Sequence, residues 1–156
     1  MMVEPVFISP NDIDWFAKIG NIYIHAMSFG GFIPRQVDIV NRNAILLYEA
    51  YRLDEVNENV NVMNGYVNER LHSQYELNSN IDAGNNEIRE RYLRHFKEMA
   101  RRGFYSYDRD IHDLKLYHLI CKPAMDLTEW QVENVPILVE EHLVIDREGN
   151  PIQLVF

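Results

Sequence analysis

The densest run of side chains able to do chemistry is Asp108, Asp110, His112 and Asp113, with His118 five residues further on. Carboxylates and imidazoles this close together can hold a divalent ion and lower the pKa of a water bound to it, the core of metal-assisted hydrolysis. The spacing matches no recognised ligand motif. The run also falls where a helix has ended and a strand has yet to begin, and Asp is favoured in such turns because its side chain bonds nearby backbone amides. A solvated turn is therefore the plainer reading of Asp108, Asp110, His112, Asp113 and His118. A divalent-metal site of a small hydrolase or nuclease is the alternative, and no other cofactor is expected.

Three histidines, His25, His118 and His142, fall in segments that alternate like strands. One face of a sheet repeats every second residue, so adjacent strands would bring these imidazoles toward one ligand. His118 shares its face with Leu114, Leu116 and Ile120, which is the setting of a hydrogen-bonded core histidine. Glu141 interrupts the apolar face of Ile137, Val139, Leu143 and Ile145, and an edge position accounts for it. Ala26-Met27-Ser28-Phe29-Gly30 imitates a nucleophile elbow with Ala for its first glycine, but the next helix signal starts near Pro34, not directly after the serine. Gly30-Gly31 would expose backbone amides to an anion at that helix start, or simply make a tight turn. None of these patterns assigns a catalytic residue.

Between Glu87 and Arg102 the six bases Arg89, Arg91, Arg94, Lys97, Arg101 and Arg102 stand against Glu87, Glu90 and Glu98. The acids are interleaved with the bases, and Glu87 with Arg91, Glu90 with Arg94 and Glu98 with Arg102 are four apart in the favourable order. This is the pattern of a solvated, self-paired helix face, not of a nucleic-acid groove.

The elements that must position these residues are read from periodicity. Val3 to Ile8 reads as a strand, Asp12 as the cap of a brief helix carrying Ile13, Trp15, Phe16 and Ile19, and Ile22 to Met27 as a strand. A long helix is expected from about Pro34 to Leu53, and a second, interrupted by Asn residues and Gly65, from Val56 to Tyr75. Asn78 to Asn86 is a loop by composition. The next helix carries Ile88, Tyr92, Phe96, Met99 and Ala100 on its apolar face and ends at Gly103. Leu47 and Phe96, central to their stripes, are expected in one core beneath the sheet. Leu114 to Cys121 and Ile137 to Ile145 read as strands, with a short capped turn at Thr128 and Gln131 between them. A hairpin closes the chain, turning at Arg147 to Asn150. Strands at both ends of a helical middle imply a single α+β domain over residues 1–156. In it, two or three helices pack on one face of a small antiparallel or mixed sheet with a C-terminal β-hairpin.

Composition narrows the function classes. The 156 residues carry 15 Lys and Arg against 24 Asp and Glu, a net charge of −9 that repels phosphate backbones and anionic membranes. The single cysteine, Cys121, cannot form an intramolecular disulfide, and no secretory leader or spanning run is evident, so a cytoplasmic location is expected. The charge and the nine tyrosines suit a non-enzymatic, acidic inhibitor or immunity-type module that binds another protein with a basic surface. Nucleic acid and membrane are not expected partners.

Overall fold

In the computed structural model the chain is described at residues 6–8, 12–19, 22–30, 32–34, 40–76, 86–125, 143–144 and 152–154. The elements are β1 (Val6–Ile8), β2 (Asp14–Ile19), β3 (Ile22–Met27), β4 (Phe32–Pro34), α1 (Val40–Tyr51), β5 (Asn61–Val62) and α2 (Asn64–Leu71). A π-helical turn, His72–Glu76, continues α2, and α3 (Asn86–Arg101), β6 (Phe104–Arg109), β7 (Leu116–Lys122), β8 (Leu143–Val144) and β9 (Ile152–Leu154) follow. β1 and β4 form a separate antiparallel ribbon. The main sheet runs β2-β3-β6-β7-β9-β8, with the short β5 also paired to β7. It is mixed: β3 and β6 are parallel, so the chain crosses over between them through α1, α2 and α3, and the other pairs are antiparallel. The fold is thus α+β, with β8 and β9 as its C-terminal hairpin.

Alternation along the strands sorts the core into two layers. Trp15 and Ala17 of β2, Ile22, Ile24 and Ala26 of β3, Tyr105 and Tyr107 of β6, and Tyr117 and Leu119 of β7 form one buried cluster. There the Trp15 indole donates to the Tyr117 hydroxyl at 3.2 Å. The opposite face takes the helices. Phe16, Tyr23 and Phe104 pack with Leu46 and Ala50 of α1 and Met99 of α3. Beside them, Ile120 and Cys121 pack with Val67 and Leu71 of α2 and Leu93, Phe96 and Ala100 of α3. Gly103, with φ of 103°, turns the chain out of α3 into β6 through a conformation that favours glycine.

Several local expectations change. Asp12 to Ile19 is not a helix; β2 is a strand whose Trp15, Phe16 and Ala17 are all buried, and burial on both faces erases the polar/apolar alternation that marks a half-exposed strand. Pro34 closes β4 instead of opening a helix, and α1 begins at Val40. Leu47 is only partly buried against the first helix-side cluster, whereas Phe96 lies in the second. The buried stripe of α1 is rotated by one residue onto Leu46 and Ala50, four apart. The segment from Val56 is not helical until α2 starts at Asn64. Phe104–Arg109 is a strand, so Asp108, expected in a turn, lies in β6. The Asn78 to Asn86 loop up to residue 85, the Thr128/Gln131 turn, Glu141, His142 and the hairpin turn at Arg147 to Asn150 lie outside the described residues.

Candidate metal centre

The β2–β3 hairpin sets Phe16 opposite His25 and Asp14 opposite Met27, so Asp14 and His25 are diagonal neighbours on the helix-facing side of the sheet. The start of β2 is pinned by Ser28: its Oγ accepts the Ile13 N–H at 2.8 Å and its own N–H donates to the Ile13 carbonyl at 2.9 Å. Asp12 accepts the Phe29 N–H at 2.8 Å, and Phe29 holds the left-handed conformation, φ 45°, that this turn needs. Across the sheet, α3 presents Tyr92, His95, Phe96 and Met99 at the three-and-four spacing of one helical face. His95 stands on that face over Asp14.

Three ligating atoms converge here. His95 Nε2 lies 2.7 Å and His25 Nε2 3.4 Å from the same Asp14 oxygen, Oδ2. One donor atom from each of Asp14, His25 and His95 falls within 4.8 Å of the others, the only such cluster among the described residues. Both imidazoles are held from behind by a hydroxyl. His25 Nδ1 is 2.6 Å from Ser106 Oγ on β6, and His95 Nδ1 meets the hydroxyl of Tyr51, the last residue of α1. Tyr51 in turn donates to Glu98 at 3.3 Å. Phe16 and Phe96 flank the His25 ring at 5.4 and 6.4 Å between centroids.

Environment divides the roles. Burial disfavours the charged form of His25 and lowers its pKa, against the opposing pull of Asp14. A neutral imidazole is the form that binds a metal. Burial alone would raise the Asp14 pKa, but the two imidazoles over its carboxylate more than reverse this and hold it ionised well below the usual range. His25 is fully buried, and its Nε2 makes no well-formed hydrogen bond, only the 3.4 Å contact with Asp14 Oδ2. A buried polar atom left unbonded costs free energy, and a cation between it, Asp14 and His95 would satisfy it.

The run singled out in the sequence is split. Asp108 is not a turn residue: it lies in β6, 5% exposed, directly opposite His118 on β7. Its carboxylate turns to the Tyr92 hydroxyl at 2.7 Å and to Arg70 at 3.1 Å. Burial still raises its pKa to about 6, despite the opposing charge of Arg70 and the bond from Tyr92. Asp110 and Asp113 do behave as turn residues. Asp110 Oδ2 accepts the N–H groups of His112 and Asp113 at 3.0 and 2.8 Å, and Asp113 accepts the Lys115 N–H at 3.0 Å. Asp110 Oδ1 engages His118 Nε2 at 2.7 Å, and the His118 ring stacks on Tyr66 at 3.9 Å. Those two rings, with Arg70 and Asp110, border a cavity of about 250 Å³. His112 is exposed.

His25 and His118 therefore belong to different clusters. His25 meets His95 instead, with ring centroids 5.0 Å apart. Sequence reading passed over His95 and Asp14; a histidine beside Tyr92 and Phe96 on the buried stripe of a helix was the available signal for the first. Ser28 is buried and pinned to Ile13, which removes it as a nucleophile. The element that follows Gly30 is β4, not a helix. On α3, the Glu87–Arg91 pair is present at 3.5 Å, while Glu90 reaches Lys97 at 3.3 Å and Arg102 reaches Glu55 at 3.0 Å. Cys121 is buried, and burial pushes its thiol up to about 11, so it stays protonated. No family model, curated protein or solved structure matches this chain.

Proposed function

We propose that the chain is a divalent-metal protein of hydrolytic type, with its centre at Asp14, His25 and His95 and not in the Asp108 to His118 run. The observation that carries this reading is the convergence of both Nε2 atoms on Asp14 Oδ2, one of them buried and otherwise unbonded. Two imidazoles and one carboxylate suit Zn²⁺ or Fe²⁺ over Mg²⁺ or Ca²⁺, which take oxygen ligands. Bonds of about 2.0–2.2 Å from the three atoms leave at least one coordination position for water. His95 and Asp14 are partly exposed, so that position has a route to solvent. A water held there would ionise near neutral pH and attack an ester or phosphodiester polarised by the same ion.

Zn²⁺ uptake tests the reading. The protein should bind about one equivalent, and at a hundred times Kd the ion should add about 2.7 kcal/mol, a rise of a few degrees in Tm. His25→Ala or His95→Ala should abolish that rise. An unchanged Tm with no bound metal by mass spectrometry would remove the proposal.

A second reading, the acidic interaction protein, is supported by the net charge of −9 and by two side chains three apart on α1, Ile45 and Tyr48, which are 45% and 64% exposed. Capture of a partner with a basic surface, lost on Tyr48→Ala, would favour it.

A further inference from the structure

We infer that Tyr51 and Glu98 form the outer arm of the metal centre: they orient His95 as a ligand and set how tightly the metal is held. This inference rests on the metal reading above. Its starting point is the direction of the hydrogen bonds. The Tyr51 hydroxyl lies between His95 Nδ1 and Glu98 Oε2, and when it gives its one proton to Glu98, 3.3 Å away, its oxygen is left to accept at Nδ1. In that arrangement Nδ1 carries the proton and a bound metal would take the Nε2 lone pair, whereas without a metal Nε2 donates to the ionised Asp14 Oδ2 at 2.7 Å, so the Tyr51–Glu98 arm favours the tautomer that a metal needs. Partners of this kind fix the tautomer and ring orientation of a metal-bound histidine and raise its basicity.

The two histidines are supported very differently. His25 is held inside the fold, with Ser106 behind it and the rings of Phe16 and Phe96 beside it. Its position follows from the parallel pairing of β3 with β6, which sets His25 opposite Ser106. His95 stands at the surface, and its partner comes from another helix. Tyr51 is 38% exposed at the end of α1, while Glu98 lies three residues beyond His95 on α3. The Arg102 guanidinium lies 4.9 Å from the centre of the Tyr51 ring and holds the phenol over α3. His25 is thus the fixed ligand. His95 is the adjustable one, and the α1–α3 contact at Tyr51 tunes it.

The test uses the full chain and Co²⁺, whose visible spectrum reports coordination, with Zn²⁺ competition against a chromophoric chelator for affinity. Tyr51→Phe keeps the ring and removes the hydroxyl. It should weaken Co²⁺ and Zn²⁺ binding about 10–100-fold and alter the Co²⁺ spectrum, while the Tm of the metal-free protein stays unchanged. Glu98→Gln should weaken binding in the same direction by less. In the Tyr51→Phe background it should have no further effect, because Glu98 acts through the phenol. Wild-type affinity and spectrum in Tyr51→Phe, or additive losses in the double variant, would overturn the arm while leaving the metal centre standing. A wild-type chain that binds no Co²⁺ overturns both.

Discussion

Asp14 and Asp108 stand in one row of the sheet, separated only by Met27 on the strand between them, and their protons are driven in opposite directions. Both face the helices, and both have basic neighbours. Asp14 meets two imidazoles that converge on one oxygen. Asp108 meets a single guanidinium that also serves the Arg109 carbonyl and the Tyr66 hydroxyl. A shared, permanent cation cannot offset the deeper burial of Asp108, whereas two partners at close range do so for Asp14. The comparison separates a bolt from a socket. The Asp108 region locks α2 and α3 to β6, and its carboxylate is saturated by its neighbours. Each region keeps a buried nitrogen without a hydrogen bond, Arg70 Nε and His25 Nε2, but only the imidazole nitrogen has a lone pair to offer a ligand.

The sharpest way to break this contrast is to remove the bolt. Asp108→Ala leaves Arg70 buried without its counter-ion, and such a loss costs about 3–5 kcal/mol in denaturant unfolding. A cost below about 1 kcal/mol would mean that Arg70 is not locked in place. The pH dependence is next in size. Because the folded-state pKa of Asp108 is raised to about 6, its contribution to stability is full below the unfolded value near 4 and is lost as pH rises through 6. The change is about 2–3 kcal/mol and should show in unfolding curves taken from pH 4 to 7. Asp14 works the other way: its stabilisation is present above about pH 4 and disappears only in stronger acid. The smallest effects belong to the turn. Asp110→Ala removes two bonds to backbone amides and the His118 contact, about 1–2 kcal/mol, while His112→Ala, at an exposed position, should stay within about 0.5 kcal/mol. Neither should change Zn²⁺ affinity; a tenfold loss in either would move the metal toward the turn.

Much of the fold was legible because its strongest signals are local. The apolar stripe of α3, its glycine stop at Gly103, the alternation of β3 and the hairpin of β8 and β9 need no tertiary knowledge. β2 and β6 were missed for one reason. Their residues are buried on both faces, which removes the alternation that marks a strand, and in β6 Ser106 and Asp108 interrupt the apolar run as well. The centre was less legible still. Asp14 and His95 are 81 residues apart and meet only because a hairpin and a crossover helix bring them to the same sheet face. No spacing in the chain encodes that.

The parallel pairing of β3 with β6 also governs when the centre can exist. His25 and Ser106, 81 residues apart, become neighbours only after the whole crossover through α1, α2 and α3 has closed. Closure entropy for such a loop must be met before its contacts repay it, which makes non-local pairing a slow event in folding. The β2–β3 hairpin, joined by only Gly20 and Asn21, can form early, but it carries Asp14 and His25 without His95. On the proposed metal reading, an ion that needs all three ligands would bind only after that closure. It would leave the refolding rate unchanged and slow unfolding, so that the ion acts as a kinetic lock on a topology the chain must first reach alone.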